Sequence, residues 1–588
     1  MLSKKRILAG AMAILMALGM TACAQNNEPA ATQAPATQAP ATQAPDPVAT
    51  AEPSFTPAPI SAEVEKGLSK YDETVVLKYP RYVDTGAVFA PGQSYENNIY
   101  ITEYAEVLGI DAQVQWEAES VEDYNDKLNR GILSNDLPDA FSCDIAVFTN
   151  LLKAGMVQDL TDVFAEWATP FYYDNVFADG GESVAQASVD GRMMGIPRSA
   201  VALGGYQFMF VREDWRIALD LPEPKTMEDV LTLARAFTTQ DPDGNGVKDT
   251  YGIAISNQPF ETWHAVRGIF NAFGAYPMTW IERNGQIEYG DVQPEMKTAL
   301  AAMNSWYNEG IINPEFVAMT SWDIYAPTNY GITFGEGWLH GWPLPETLRA
   351  QGNQWRPYNI PFDDSAPTQK YAAKQQLGEV YCVRTGYDHP EALVKMNNLF
   401  QDRVLSFNYD TKIYKGDDQY NYEMLAVFAP TNGPDRNLRN SDLINEILSM
   451  ENPDLTLLEN IDQSNLYRNV QEYIFMDTYG VKWSEEVADR FTVSFGAYWG
   501  NYGPNSTWGL TEASKAANRF EISKFQGSPT PAMLDFEKQL QSDETEMINN
   551  IISGVEPIDY FDEFVSNWWA SGGQEMTDEV NEWYNLMH

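Results

Sequence analysis

Nine consecutive residues carry the most specific local chemistry in this chain: Asp241-Pro242-Asp243-Gly244-Asn245-Gly246-Val247-Lys248-Asp249. Oxygen-bearing side chains stand at the first, third, fifth and ninth positions. Gly246 at the sixth permits a sharp turn, and Val247 at the seventh can offer a backbone carbonyl. Alternate spacing brings such oxygens to one centre, which is how the front of an EF-hand loop holds calcium. The pattern is incomplete, because Gly252 stands where a full EF-hand places a bidentate Glu, and Thr250 follows the ninth position. A plain Asp/Asn/Gly turn closing the preceding helix is the competing explanation. With the loop saturated by its own charge, any calcium there is structural.

Motifs for covalent chemistry are missing. The chain has no Gly-x-Ser-x-Gly elbow, no Gly-Lys-Ser/Thr phosphate loop and no His-Glu-x-x-His pair. Gly335-Glu336-Gly337 followed by Gly341 imitates a dinucleotide loop poorly, with an acid where a pyrophosphate would sit. Only His264, His340, His389 and His588 could serve a zinc or Ser-His site, and His389, before Pro390, suits a helix cap. With 83 Asp and Glu, coincidental carboxylate pairs are certain. A polysaccharide hydrolase using two carboxylates therefore stands as the rival to a non-catalytic protein.

The elements that must position these residues alternate. Thr74 to Tyr79 reads as a strand, Asn98 to Leu108 as a helix ending at Gly109, and Asp111 to Trp116 as a second strand. Asp123 to Ser134 carries helical spacing. The alternation recurs at the strand Tyr206 to Val211, the helix Met227 to Thr238 and the strand Tyr251 to Ile255. Gly331 to Phe334 is a further strand, and Asp535 to Ser553 and Thr577 to Met587 are helices. Such order predicts an α/β protein with mainly parallel sheets and crossover helices.

The first 60 residues stand apart from this body. Lys4, Lys5 and Arg6 precede an apolar stretch from Ile7 to Met20, and Met20-Thr21-Ala22 leads to Cys23. Such a run is short for a membrane span and reads as a secretory leader. It resembles a bacterial lipoprotein signal peptide, 1–22, which implies diacylation of Cys23. Residues 23–60 include Ala-Thr-Gln-Ala-Pro three times over and are too poor in apolar residues to fold. In polyproline II, at ~3.1 Å per residue, they could reach on the order of 100 Å. Localisation on the outer face of a membrane, held by lipid alone, is expected.

The formal charge is −45, which repels phosphate backbones and excludes nucleic acid as a partner. Beyond Cys23 only Cys143 and Cys382 remain. They could pair, but so far apart in sequence they read as separate buried fillers. Aromatic residues make up 13% of the chain, and most must be packing. The exceptions are tryptophans in Gly-rich or polar segments, where no core-facing periodicity accounts for them.

Leu137-Pro138-Asp139 followed by Ala154-Gly155-Met156-Val157-Gln158-Asp159-Leu160-Thr161 is similar to a stretch of bacterial extracellular solute-binding proteins. Gly195-Ile196-Pro197, Val211-Arg212-Glu213-Asp214-Trp215, Glu309-Gly310-Ile311-Ile312-Asn313-Pro314-Glu315-Phe316 and His389-Pro390-Glu391-Ala392 follow in the same order. Trp568, Gly572-Gly573 and Glu579-Val580-Asn581-Glu582-Trp583-Tyr584 match the long lipoprotein branch of that family, of the family 1 type. The resemblance runs from about Lys70 to His588. It implies a two-lobed, periplasmic-binding-protein-like clamp with discontinuous lobes, a monomer that delivers an oligosaccharide to the permease subunits of an ABC importer. Uronides of the alginate type are among that family's ligands; a peptide or other polar solute is the further alternative.

On this resemblance lobe 1 takes 61–205 and 335–400, and lobe 2 takes 206–334 and 401–588. Crossings fall near Gly204-Gly205, near Thr333–Gly337 and near Phe400. A sugar cleft needs aromatic faces for C–H surfaces, beside fixed donors and acceptors for hydroxyls. Gly335-Glu336-Gly337-Trp338-Leu339-His340-Gly341-Trp342 holds Trp338 and Trp342 between glycines, at a crossing that faces the cleft. Trp263 with His264 should come from the opposite lobe, and Tyr206 and Arg198 flank the first crossing. Trp499 and Trp508, in the Gly/Asn-rich run 496–509, complete the set. For each tryptophan, core packing is the competing explanation.

Overall fold

The computed structural model describes residues 66–587, apart from 85–86, 326–327, 406–412, 415–422, 431–432 and 526–528. The leader, Cys23, the linker and His588 lie outside the described residues. The described residues all belong to one compact unit.

Strand β1 (Val75–Tyr82) pairs in parallel with β2 (Ile110–Ala118). The connection is a helical segment from Ile99 to Leu108. It starts where the Asn98 side chain accepts from the backbone N–H groups of Tyr100 and Ile101, and it ends at Gly109, whose φ of 73° suits a residue without Cβ. Strand β3 (Ala140–Asp144) and β4 (Ile196–Gly204) both run antiparallel to a long strand, Tyr371–Val383. Around them gathers a core that includes Leu77, Tyr104, Phe164, Tyr381 and Leu399.

The chain then turns through Gly205, at φ 77°, into β5 (Gln207–Arg212), which belongs to a different sheet. That sheet also holds β6 (Tyr251–Ala254), β7 (Tyr330–Glu336) and β8 (Trp355–Tyr358), in the order β8-β5-β7-β6. Strands β7 and β6 are parallel, whereas β5 is antiparallel to both of its neighbours. A second core including Met209, Phe237, Ile253, Phe270, Ile332 and Trp568 lies against this sheet. The long strand Tyr371–Val383 is β9, and β10 (Phe520–Ile522) pairs in parallel with its first residues.

Three expectations change. The sheets are mixed rather than mainly parallel, because β5 runs against both of its neighbours and β9 runs against β3 and β4. The crossing expected near Thr333–Gly337 is absent: β8 pairs with β5, so residues 335–358 stay with the second sheet, and the return lies between Tyr358 and Tyr371. Nor does the chain cross near Phe400. Helix Glu391–Leu405 is continuous, and Phe400, Leu425 and Phe428 all pack in the first core.

The crossings meet at one aromatic knot. Tyr206 packs on Tyr371 and Phe520 at ring distances of 4.9 and 5.1 Å. Its hydroxyl bonds to Asn359 and lies 3.3 Å from the Ser514 hydroxyl. Cys143 and Cys382, on adjacent strands β3 and β9, are both buried and free, with their Sγ atoms 3.8 Å apart. They are buried and unbridged, as expected of fillers, yet close in space, because antiparallel pairing of β3 and β9 puts them on the same face.

Candidate functional site

Open sheets with parallel strands bind ligands beyond the carboxyl ends of those strands. In the second sheet the parallel pair is β6 and β7. The segment after β6 carries Trp263 and the turn after β7 carries Trp338 and Trp342; the fold brings all three together on one sheet, not from opposite lobes as expected, because β6 and β7 are adjacent strands. Trp263 lies 6.0 Å from Trp338 and 5.4 Å from Trp342, and those two rings stack at 6.2 Å. Trp322 stands edge-on to Trp263 at 5.0 Å, and Tyr325 packs on Trp342 at 5.1 Å.

The five rings divide into a base and a face. Trp263 is 5% exposed and packs in a core with Phe208, Leu339 and Leu344. Trp322 is 65% exposed, Trp338 39% and Trp342 37%. A contiguous patch of exposed indole has a cost in water and marks a surface that something apolar covers. Gly335 sets the geometry: a Cβ there would lie 2.9 Å from the Thr262 carbonyl oxygen, so a bare backbone lets the two segments approach. The Glu336 N–H donates to that same carbonyl at 2.8 Å, and the Ser321 hydroxyl donates to the Trp263 carbonyl at 3.1 Å.

His264 is fully buried behind this face and does not reach it. Its ring lies 5.2 Å from Trp263 and its Nδ1 is 2.6 Å from the Thr333 hydroxyl. Burial lowers its pKa to about 4, so the imidazole is neutral and props the indole from below. Tyr206 is also buried, as the centre of the crossing knot. Arg198 is partly exposed on β4, ion-paired with Glu379, and its Nε donates to the Tyr381 hydroxyl at 3.1 Å.

Trp499 and Trp508 lie elsewhere, among the helices 436–516. The Trp499 Nε1–H donates to the Tyr473 hydroxyl at 2.8 Å, and Arg356 sits 4.0 Å over the ring. Trp508 packs against a core of Ile444, Tyr467 and Val470. Trp322 and Tyr325 were missing from the sequence-derived set. Their signal was available: Thr320-Ser321-Trp322-Asp323-Ile324-Tyr325 sets aromatic residues in a polar segment.

A cavity of about 510 Å³ lies between the two sheets, lined by Gly204, Gly205 and Leu377 on one side and Arg267, Thr279 and Tyr289 on the other. Arg267 joins it to the aromatic face. It donates to the Gly205 carbonyl at 2.7 Å and pairs at 3.0 Å with Glu336, one residue before the turn that holds Trp338.

In the loop 241–249 the donor set is all oxygen. The Asp241 carboxylate accepts from the Gly246 N–H at 3.0 Å, while its Oδ1 is buried without a hydrogen-bond partner. Burial, with Asp241 and Asp249 close by, raises the Asp243 pKa. The Asn245 amide nitrogen donates to Asp243 at 2.8 Å and to Asp249 at 3.2 Å. That N–H2 group takes the place of positive charge among the carboxylates. Among the described residues no cluster of three or more His, Cys, Asp or Glu is arranged to hold a metal ion. The residues fit calcium by donor type and by the orphaned Asp241 oxygen, with the Asn245 amide turned to present oxygen.

No family model matches the chain. It is 28% identical over 222 residues to Lipoprotein LipO of Bacillus subtilis (strain 168), 36% of this chain and 41% of that one. It is 26% identical, over 37% of this chain and 41% of the other, to the polygalacturonan/rhamnogalacturonan-binding protein YtcQ of the same organism. The matched region spans about two fifths of each relative. Among solved structures, an HMO-binding, ABC-transporter-associated solute-binding protein from Bifidobacterium longum infantis superposes with a TM-score of 0.56. That match covers 88% of this chain and 99% of that one at 14% identity. The fold is that of the extracellular solute-binding proteins. The Streptococcus pneumoniae ABC-transporter substrate-binding protein FusA in complex with kestose superposes at 0.51, over 87% of this chain and 99% of that one, at 16% identity. Alginate-binding protein AlgQ2, solved without calcium ion, superposes at 0.50 over 88% and 99% of the two chains, also at 16% identity. Among the described residues no helix is long and apolar enough to cross a membrane.

Proposed function

We propose that this chain is the lipid-anchored substrate-binding subunit of an ABC importer that captures an oligosaccharide. The observation that carries the reading is the exposed face of Trp322, Trp338 and Trp342 over the buried Trp263, at the carboxyl ends of β6 and β7. Indole faces suit the C–H surfaces of sugar rings, and the neighbouring carboxylates and amides suit hydroxyls. The similarity to LipO, YtcQ and FusA supports the same reading: a lipoprotein, a polygalacturonan-binding protein and a fructooligosaccharide transporter subunit.

In this account the two sheets belong to two lobes, with crossings at Gly205, between Tyr358 and Tyr371, and near Phe520. Ligand closes the lobes about the Tyr206 knot and creates the surface that the permease reads. Trp338, Trp342 and Trp322 touch the sugar; Trp263 and His264 hold them in place. The protein acts by binding, without catalysis. The carboxyls of Asp291 and Glu544, fully buried in the second core region, have no access to a glycosidic bond. Cys23 bears the lipid, so the protein resides on the outer face of the cell membrane, and calcium occupies the loop 241–249 as a structural ion.

The test is a glycan array followed by titration calorimetry of the best ligand, with the recovered ligand analysed by chromatography. Saturable binding and unchanged ligand are expected. Shortened ligand would make the protein a hydrolase, and binding confined to peptides would overturn the carbohydrate reading.

A further inference from the structure

Resting on the carbohydrate-binding reading, we propose that the site takes neutral oligosaccharides and rejects chains bearing uronic acids. Charge at the site carries this inference. Among the described residues, Arg267 is the one cation lining the cavity between the sheets. Its guanidinium is buried and already committed, to Glu336 at 3.0 Å and to the Gly205 carbonyl at 2.7 Å. Two carboxylates, Asp144 and Glu537, line the same cavity. Arg198, on the first sheet, is paired with Glu379. Beside the aromatic face stands another acid, Glu346, which accepts from the Tyr325 hydroxyl at 2.6 Å.

Recognition of a uronate needs a cation with charge to spare, since each carboxylate gives up water on entering a partly closed site. Here each cation named is matched by a carboxylate, and further acids surround it. The whole chain adds to that field, with a formal charge of −45. A neutral sugar meets no such opposition. Its hydroxyls donate to the carboxylates and its ring faces lie on indole. Charge therefore separates this chain from the polygalacturonan-binding YtcQ and the alginate-binding AlgQ2, whose ligands are acidic polysaccharides.

Titration calorimetry of the full-length protein in detergent decides the matter. The probes are fructo-, malto-, cello- and xylo-oligosaccharides against oligogalacturonides and oligoalginates, with chitosan oligosaccharides as the cationic arm. A neutral series should bind on the order of tenfold or more tighter than either uronate series at low salt. The gap should narrow at high salt, because screening weakens repulsion while leaving neutral binding unchanged. Uronates that bind equally or better, or whose binding weakens with salt, would overturn the inference and leave the carbohydrate reading standing. Tightest binding of the chitosan series would overturn it too, since the site would then select positive charge. No binding by any glycan, with capture of peptides instead, would overturn both.

Discussion

Two regions of this molecule hold tryptophans in glycine-rich sequence, and the fold treats them in opposite ways. Around Trp338 and Trp342 the rings stand at the surface, supported from below by Trp263 and His264. Around Trp499 and Trp508 the rings are absorbed among helices: Trp499 between Tyr473 and Arg356, Trp508 against Ile444 and Val470. Glycine does different work in each. At Gly335 it lets two strand-end segments meet and push rings outward. At Gly500 a Cβ would lie 2.4 Å from the His340 ring, so glycine there lets the helical run close down on its neighbour. Glycine beside tryptophan signals close backbone approach; the element that follows decides whether the ring is displayed or buried.

The sharpest test of that contrast is stability. Trp263→Ala removes a ring that is almost fully enclosed and should cost about 3–5 kcal/mol, read as a lowered denaturation midpoint with unchanged slope. Trp499→Ala should cost less, about 2–3 kcal/mol, because its ring is partly open. Trp338→Ala should leave the midpoint within about 0.5 kcal/mol of the parent. If Trp338→Ala destabilises as much as Trp499→Ala, the two regions are alike and both are core.

Binding should invert the order. Trp338→Ala should lose about 1–3 kcal/mol of affinity for the best glycan, from the ring area it can no longer cover. Trp508→Ala should bind like the parent once its folded fraction is accounted for. Equal affinity in the parent, Trp338→Ala and Trp322→Ala would place the ligand somewhere other than this aromatic face.

How much of this was legible beforehand follows from the same contrast. Local signals carried far: Gly109 as a stop and a helix over Met227 to Thr238 stand in the structure close to where the sequence puts them, and the chain changes sheets at Gly205. Pairing did not follow from local pattern. Nothing near Trp355 declares that Trp355–Tyr358 joins β5 from the far edge, so the later crossings were misplaced. Burial was also hidden at single residues. His264 sits next to a tryptophan in a polar stretch, yet its φ of 51° turns the backbone and sends the imidazole inward to Thr333. Trp322 is separated from Trp338 by a whole strand, and only the packed fold joins them.

That inward histidine gives the contrast a pH dependence. Burial holds His264 near pKa 4, against about 6.5 for an unperturbed histidine. The unfolded chain therefore takes up a proton between those values that the native state refuses. Its contribution to stability is present above pH 6.5 and is lost as pH falls towards 4, on the order of 3 kcal/mol. Asp291 and Glu544 act in the opposite sense. Burial raises Asp291 to about 7 and Glu544 well above its ordinary value, so their protonated pair favours the native state at low pH. The readout is thus a difference: parent minus His264→Gln, measured from pH 4 to 8. That difference should shrink on acidification and should appear in glycan affinity as well, since His264 supports Trp263. A difference independent of pH would mean that the imidazole titrates normally and lies open to water.

The smallest effect expected belongs to the loop 241–249, which lies apart from both aromatic regions and so separates stability from binding. Three carboxylates crowd one turn, and the Asn245 N–H2 group offsets only part of their repulsion. Calcium bound only by the folded state adds stability by mass action, about 1.4 kcal/mol at ten times its dissociation constant. Chelation should therefore lower the melting temperature, and Asp243→Ala should abolish that response by removing a ligand. Glycan affinity should remain the same with and without calcium, because the loop precedes the amino end of β6 whereas the rings gather beyond its carboxyl end. Identical melting curves in chelator and in calcium, with no metal found by elemental analysis, would reduce the loop to a turn held by its own amide. A shift in glycan affinity on chelation would instead mean that the loop reaches the site through β6, which begins at Tyr251 directly after it.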